Sequence, residues 1–328
     1  MTEDEVVEGI RALCYPESGQ GRRIVLGIGD DAALWRPSRS HLSAISSDML
    51  VEGVDFSDEL MGLEDAGWRA MAANISDLAA MGARPVLAVV ALGVPRERDA
   101  RAVLECYRGI AAAARRWHLT IAGGDLSRAP ALTLAVTVVG EVRASDVKRR
   151  DGAHPGDVLA VTGPLGSARA GFELARDPEL NVAEELRRVA LDAFRRPQAR
   201  VAEGRFLAAS RNVRALMDSS DGLSTDVGRL AAANRCGATI ETVPFSDAAR
   251  AVAQTCDEDP QRFALAAGED FELIVAVRAA ALRHLAERYR ARFGRDLIRI
   301  GTLVAQPGIT WNGAPLERSG WDHFDGRA

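Results

Sequence analysis

Five apolar, strand-like segments of this chain run into small residues and stop on an acid. IVLGIG reaches Asp30 and Asp31, LSAISS reaches Asp48, LTIAGG reaches Asp125, RALMDSS carries Asp218 and leads to Asp221, and FALAAG reaches Glu269 and Asp270. A strand end holds a side chain at a fixed point, and the glycines and serines around it let a ligand, a backbone or a second acid come close. One such end is an ordinary turn, because Asp and Gly are turn formers. Five of them indicate acids converging on one centre. Clustered carboxylates repel unless protons or cations neutralise them, and hard oxygen donors select Mg²⁺ or Ca²⁺. Sites with several magnesium ions mostly handle polyphosphates, so the chemistry indicated is phosphoryl transfer.

Each position also has a simpler reading. Asp30 and Asp31 are adjacent acids at a turn, where solvated surface pairs are common. Ser46, Ser47 and Asp48 offer two hydroxyls and a carboxylate, a hard-cation triplet and equally a turn sequence. Asp77 falls near the C-terminal end of an expected helix, opposite its apolar stripe, where the helix dipole disfavours an anion and a bound cation would reverse that cost. Gly123-Gly124-Asp125 is a glycine turn or a nucleotide and metal contact. The stretch from Gly163 to Gly171, with Ser167, opens a helix whose free N–H groups can take a phosphate, although strand-Gly-helix joints are frequent. Asp218 and Asp221 stand three apart just before a helix, where Asp221 can equally serve as an N-cap. The histidines, His41, His118, His154, His284 and His323, have no partner at motif spacing, so none is assigned to catalysis. No GxSxG elbow and no Cys–His pattern occurs.

Composition narrows the class. The 328 residues carry 47% hydrophobic and 27% charged side chains and a net charge of −5, ordinary for a globular protein and without a basic face for nucleic acid. The N-terminal MTEDEVVEGIRAL is acidic and has no apolar h-region, and no apolar run is long enough to span a bilayer; a cytoplasmic protein with no membrane partner is expected. Cys14, Cys106, Cys236 and Cys256 are far apart and read as buried thiols rather than disulfides or zinc ligands. Lys148 is the only lysine, which excludes both the P-loop lysine and the VAIK lysine of protein kinases. If the chain uses ATP, carboxylate-held metal and arginine must do what lysine does elsewhere.

The elements expected to position these residues alternate without being doubly wound. Residues 3–14 read as an amphipathic helix and 23–29 and 42–47 as buried strands. From Leu63 to Met81 apolar residues recur at three and four, with Glu64 and Asp65 in the first turn and Gly82 and Pro85 beyond the end. Strands follow at 86–95, 119–124 and 131–142, with a helix at 99–117. The polar SDVKRRDGAHPGD is the expected domain boundary, dividing 1–148 from 149–328. Beyond it come strands at 157–163, 213–217, 238–245, 271–277 and 298–304, and helices after Gly166, over 183–211, 222–236 and 279–293. Several strand pairs lack a helical crossover, which indicates two α+β domains.

At this point nine segments carry a resemblance: IGDDAAL, SSDMLVEGVDF, GWRAMAANISDLAAMGARP, GGDLS, RRDGAHPGD, VTGPLGSARAG, MDSSDGLSTDV, GEDFEL and GWDHF. In this order they resemble the thiamine-monophosphate kinase family, within the aminoimidazole ribonucleotide synthetase superfamily, and they span nearly the whole chain. The resemblance implies an N-terminal α+β domain that binds metal and ATP and pairs into a homodimer, a C-terminal α+β domain, and an ATP site between the two. It implies transfer of the γ-phosphoryl group of ATP to thiamine monophosphate. Carried over by position, metal ligands fall on Asp31, Ser46, Ser47, Asp48, Asp77, Asp125, Asp218 and Asp221. Nucleotide contacts fall on Tyr107, Gly124, Asp125, Arg150 and Ser220, and acceptor contacts on Asp55, Glu269 and Trp321. Asp55 is a departure: the family usually reads VEGVHF there, with the histidine facing substrate.

The alternatives are another ATP-using member of the superfamily with a different small substrate, or a nucleotide-binding dimer without activity. Selenophosphate synthetases need an N-terminal Cys or selenocysteine in a Gly-rich segment, and Cys14 lies in RALCYP. The carbamoyl-dehydrating hydrogenase maturation proteins end in a cysteine, and this chain ends GWDHFDGRA.

Overall fold

A computed structural model of the chain describes residues 2–15, 23–28 and 32–316. They fall into two compact units, Met1–Leu78 with Ala83–Ala144, and Ala79–Gly82 with Ser145–Ala328.

In the first unit, helix α1 (Glu3–Cys14) opens on a capping box in which Thr2 and Glu5 satisfy each other's backbone N–H. A short antiparallel pair follows, β1 (Ile24–Leu26) and β2 (Leu34–Trp35). Then come β3 (Leu42–Val51), α2 (Leu63–Ala80), β4 (Arg84–Val94), α3 (Ala100–Trp117), β5 (Thr120–Arg128) and β6 (Thr133–Val142). The sheet order is β3-β6-β4-β5, with β6 antiparallel to both neighbours and β4 parallel to β5 across the α3 crossover. Along β6, Leu134, Val136 and Val138 are buried while Thr133, Ala135, Thr137 and Val139 are half-buried, the period of two of a sheet covered on one face. Helix α2 is buried almost all round; from Ala66 to Ala80 only Ala73 and Asp77, one turn apart, are not. Its contact with α3 requires glycine, because a Cβ on Gly109 would lie 1.7 Å from the carbonyl oxygen of Glu64.

Three expectations are corrected here. The strands expected to be buried at 23–29 and 42–47 are not: β1 has three residues with Val25 exposed, and β3 is an edge strand with Leu42, Ile45 and Met49 exposed. Among the described residues only β6 pairs with β3, which leaves its other edge without a strand partner there. Asp48 and Asp125 do not end their strands, since β3 continues to Val51 and β5 to Arg128. FALAAG is not a strand either; it closes a short helix, described below.

The second unit contains β7 (Asp157–Val161), α4 (Ser167–Arg176), α5 (Glu184–Arg195), α6 (Val201–Ala208), β8 (Val213–Asp218), α7 (Leu223–Ala233), β9 (Gly237–Ile240), α8 (Asp247–Thr255), α9 (Pro260–Leu265), β10 (Leu273–Arg278), α10 (Leu282–Phe293), β11 (Ile298–Val304), β12 (Gly308–Trp311) and β13 (Ala314–Pro315). Its sheet runs β13-β12-β9-β11-β7-β10-β8, with β12–β9 the parallel pair. The helical stretch expected over 183–211 is two helices, because Pro197 removes a donor and pushes Arg196 out of helical geometry. The strand expected at 238–245 stops at Ile240. The side chains of Ser246 and Asp259 cap α8 and α9, which fill a stretch read without helices, and α9 takes up the first half of FALAAG. All four cysteines are unpaired, but only Cys106 and Cys236 are buried as expected; Cys14 is half-buried and Cys256 exposed.

Candidate functional site

In the first unit, β3 and α2 meet through polar groups. The Ser46 hydroxyl donates to Asp77 Oδ2, and the backbone N–H of Asp48 donates to Asn74 Oδ1 at 3.0 Å. Asn74 is 0% exposed, and its Nδ2 donates to the Ala70 carbonyl at 3.0 Å. The spacing explains the meeting: residues 46 and 48 share one face of a strand, and 74 and 77 share one face of a helix. Ser47 lies between them on β3 and pairs with Thr137 Oγ1 at 2.9 Å and the Val136 carbonyl at 3.2 Å, both on β6.

Asp125 is held elsewhere in the sheet. It pairs in register with Ala91, which pairs with Ala135, which pairs with Met49. Three strand steps therefore separate it from β3, about 14 Å across a flat sheet. Its neighbour Gly124 has no room for a side chain, because a Cβ there would sit 1.9 Å from the Val90 carbonyl oxygen. Tyr107, on α3, is 3% exposed, and burial pushes its phenol up. Asp55 follows β3 in a turn and uses Oδ2 to accept the Val51 N–H at 2.8 Å. Asp31 and Trp321 lie outside the described residues.

In the second unit, Asp218 closes β8, buried and opposite Leu273 of β10. The loop after it is organised by an acid not singled out in the sequence, Asp226, which is 0% exposed. Its Oδ2 accepts the N–H groups of Ser220 and Asp221, both at 3.1 Å, and the Ser219 hydroxyl at 3.4 Å. Arg229 reaches Asp226 Oδ1 at 3.3 Å and also donates to Asp221. Capping of α7 by Asp221 is not realised; the cap is Gly222, with no side-chain bond. Burial, with the nearby charges of Asp221 and then Asp218, pushes the Asp226 carboxyl up to about 7. Arg150 is exposed, and its carbonyl accepts from Asn234 Nδ2 at 2.7 Å.

Glu269 adopts a left-handed backbone at φ 62°, and its N–H donates to the Ser220 carbonyl at 2.8 Å. The N–H groups at the start of α4, read as a phosphate cradle, are already engaged: those of Gly166 and Ala168 donate to Asp270 at 2.6 and 3.1 Å. Burial pushes the Asp270 carboxyl up to about 7 against the pull of these bonds.

The donors fit a hard cation in kind, being carboxylates and hydroxyls only. Burial first, and after it the negative charges of Asp221 and Asp218, raises the Asp226 carboxyl, and a cation beside these acids would relieve the second of those effects. Among the described residues no three His, Cys, Asp or Glu side chains stand close enough to hold a metal by themselves, so each group is a partial donor set. A separate cleft of about 440 Å³ in the first unit, lined by Arg23, Arg36, Pro37, Ser38, His41, Arg84 and Glu141, contains none of the expected residues.

The sequence analysis does not single out Asn74 or Asp226, and it marks Asp270 only as an acid after FALAAG, not as the acceptor of the α4 N–H groups. Asn74 had a usable signal, standing three residues before Asp77 on one helix face. Asp226 looked like an ordinary acid in a helix's first turn, and Asp270 like a second copy of Glu269.

Comparison with known proteins covers nearly all of the chain. Residues 29–142 match the AIR synthase related protein N-terminal domain, and residues 154–312 match the corresponding C-terminal domain. A thiamine-monophosphate kinase from Rhodopirellula baltica is 36% identical over 299 residues, 88% of this chain and 86% of that one. The crystal structure of thiamine-monophosphate kinase from Stenotrophomonas maltophilia K279a superposes with a TM-score of 0.84 at 33% identity, over 96% of this chain and 98% of that one. The structure of AaThiL complexed with AMPPCP and TMP superposes with a TM-score of 0.77 at 28% identity, over 90% and 92%.

Proposed function

The chain belongs to the thiamine-monophosphate kinase family of AIR synthase related proteins, and from that premise we propose that it transfers the γ-phosphoryl group of ATP to thiamine monophosphate, giving thiamine diphosphate. It is an enzyme of the phosphotransferase class. The observation that carries the substrate assignment is the related structure complexed with AMPPCP and TMP, a donor analogue and an acceptor. AMPPCP has a methylene where ATP has the bridging oxygen between its β and γ phosphorus atoms, so the pair stands for the state before transfer.

The residues suit this reaction. The acceptor is already a phosphate monoester, with a second pKa of about 6, so near neutral pH it needs no base to ionise it. This agrees with an acidic site to which no histidine was assigned. The obstacle is repulsion between two polyanions, and the task of the protein is alignment. Mg²⁺, when bound, supplies neutralising charge to both phosphate groups. Asp31, Ser46, Ser47, Asp48, Asp77, Asp125, Asp218 and Asp221 are the proposed ligands. In the first unit, Asn74 keeps the Asp48 backbone against α2, while Asp77 accepts from Ser46. In the second, Asp226 holds the backbone of Ser220 and Asp221, and Arg229 partners Asp221. Tyr107, Gly124, Asp125, Arg150 and Ser220 are proposed for the nucleotide, and Asp55, Glu269 and Trp321 for the acceptor. The division of the chain into domains 1–148 and 149–328 is part of the same proposal.

We also place a homodimer contact on the first unit, where Leu42, Ile45 and Met49 are exposed on edge strand β3. Sedimentation of a monomer at micromolar concentration would contradict it. No helix among the described residues is long and apolar enough to cross a membrane, and the cytoplasm is the proposed location. ADP release measured against a panel of phosphomonoesters tests the acceptor. Thiamine monophosphate is expected to give the highest kcat/KM, and a clear preference for another monoester would reassign the substrate.

A further inference from the structure

We propose that Asp270 is a positioning residue, which fixes Glu269 at the acceptor site by occupying the N-terminus of α4. The proposal rests on the kinase reading for the role of Glu269, and on geometry alone for the role of Asp270.

Asp270 sits between two residues in left-handed backbone, Glu269 at φ 62° and Phe271 at φ 50°. Neither is glycine, so the segment persists only if its surroundings over-determine it. The backbone supplies part of that constraint. The N–H of Glu269 donates to the Ser220 carbonyl at 2.8 Å, that of Phe271 to the Ser219 carbonyl at 3.0 Å, and that of Ser219 to the Glu272 carbonyl at 2.8 Å. These bonds join residues 269–272 to the loop carrying Ser220, a proposed nucleotide contact.

The side chain of Asp270 supplies the rest. One carboxylate oxygen takes the Gly166 N–H at 2.6 Å and the other takes the Ala168 N–H at 3.1 Å. Bonds from a helix's first turn to a carboxylate are charge-assisted and reinforced by the helix dipole. With both oxygens engaged at residues 166 and 168, Asp270 is pinned in position and direction. The chain on its N-terminal side must then turn through the left-handed conformation of Glu269. Glu269 is half-buried. Asp270 is thus the anchor of the segment, and Glu269 is its neighbour proposed for the acceptor.

The test compares Asp270→Asn with Glu269→Ala and with the double variant, reading KM for thiamine monophosphate, KM for ATP, and amide hydrogen exchange at residues 269 and 271. Asparagine keeps one acceptor oxygen, so Asp270→Asn retains the fold. It is expected to raise the acceptor KM about tenfold, the factor that corresponds to losing roughly one hydrogen bond, and to leave the ATP KM within about twofold. Exchange at residues 269 and 271 should be faster, and the double variant no worse than Glu269→Ala. An unchanged acceptor KM with unchanged exchange, or a penalty that adds in full to that of Glu269→Ala, overturns the proposal. If the unaltered enzyme does not phosphorylate thiamine monophosphate, the kinase reading fails by itself. The exchange comparison then still decides the anchoring role, faster exchange upholding it and unchanged exchange overturning it.

Discussion

The backbone N–H of Asp48 donates to the fully buried side chain of Asn74 at 3.0 Å, locking edge strand β3 to helix α2. Just along the same strand, Ser46 donates to Asp77. The strand and helix that carry proposed metal ligands are therefore joined by a residue that is not itself a proposed ligand. Replacing Asn74 by Ala strands the Asp48 N–H and is expected to destabilise the fold by about 1–3 kcal/mol in urea unfolding, with a fall in kcat. A variant with unaltered stability and turnover would show that the link is incidental.

Asp77→Asn and Asp48→Asn test the acids themselves. Asparagine preserves shape and can still accept from Ser46, so each variant should remain folded, within about 1 kcal/mol of the parent. Turnover should nearly vanish, and a chelator should abolish the parent's activity until Mg²⁺ is returned. Wild-type rates in both variants would remove the shared metal site.

Asp55 stands where the family usually has a histidine, and one of its oxygens holds the Val51 N–H at 2.8 Å. Asp55→His replaces an anion near a dianion by a donor, a change of about 1 kcal/mol at an exposed effective dielectric. KM for the acceptor should fall or stay level, KM for ATP should be unchanged, and stability should drop by about 1 kcal/mol from the lost turn bond. Loss of acceptor phosphorylation in this variant would make Asp55 a positive contact.

The raised carboxyl of Asp270 implies a pH dependence of definite sign. Its folded value, about 7, lies above the 3.8 of the exposed group. Between those values the folded state keeps a proton that the unfolded chain has released. The unfolding free energy therefore falls as pH rises from about 4 to about 7, by at most about 1.4 kcal/mol per unit from this group, and levels off above. Unfolding curves of Asp270→Asn should lack that component; an identical slope in both proteins would contradict it.

Much of this architecture is legible in the residues, and the failures have physical causes. The α2 repeat and the β6 alternation signal their elements directly, because apolar residues recur at three and four in the first and at two in the second, although α2 is buried almost all round. The nine segments carry the family. Burial of β3 was misjudged because Leu42, Ile45 and Met49 are apolar at a sheet edge, and apolar character does not reveal which side of a strand is covered. Pro197 within 183–211 is itself a sequence signal for the break between α5 and α6. FALAAG has the apolar run of a strand, but Asp259-Pro260 before it is a helix start. The candidate site was legible as a set of acids but not as a framework: Asn74, Asp226 and Asp270 act through backbone N–H groups whose positions exist only in the fold.

The most direct measurement of the central claim follows the label from γ-³²P-ATP with purified protein, Mg²⁺ and thiamine monophosphate. The account predicts labelled thiamine diphosphate formed in step with ADP, and no labelled inorganic phosphate in its place. ATP consumption without labelled thiamine diphosphate, or no ATP consumption with Mg²⁺ and acceptor present, would contradict it.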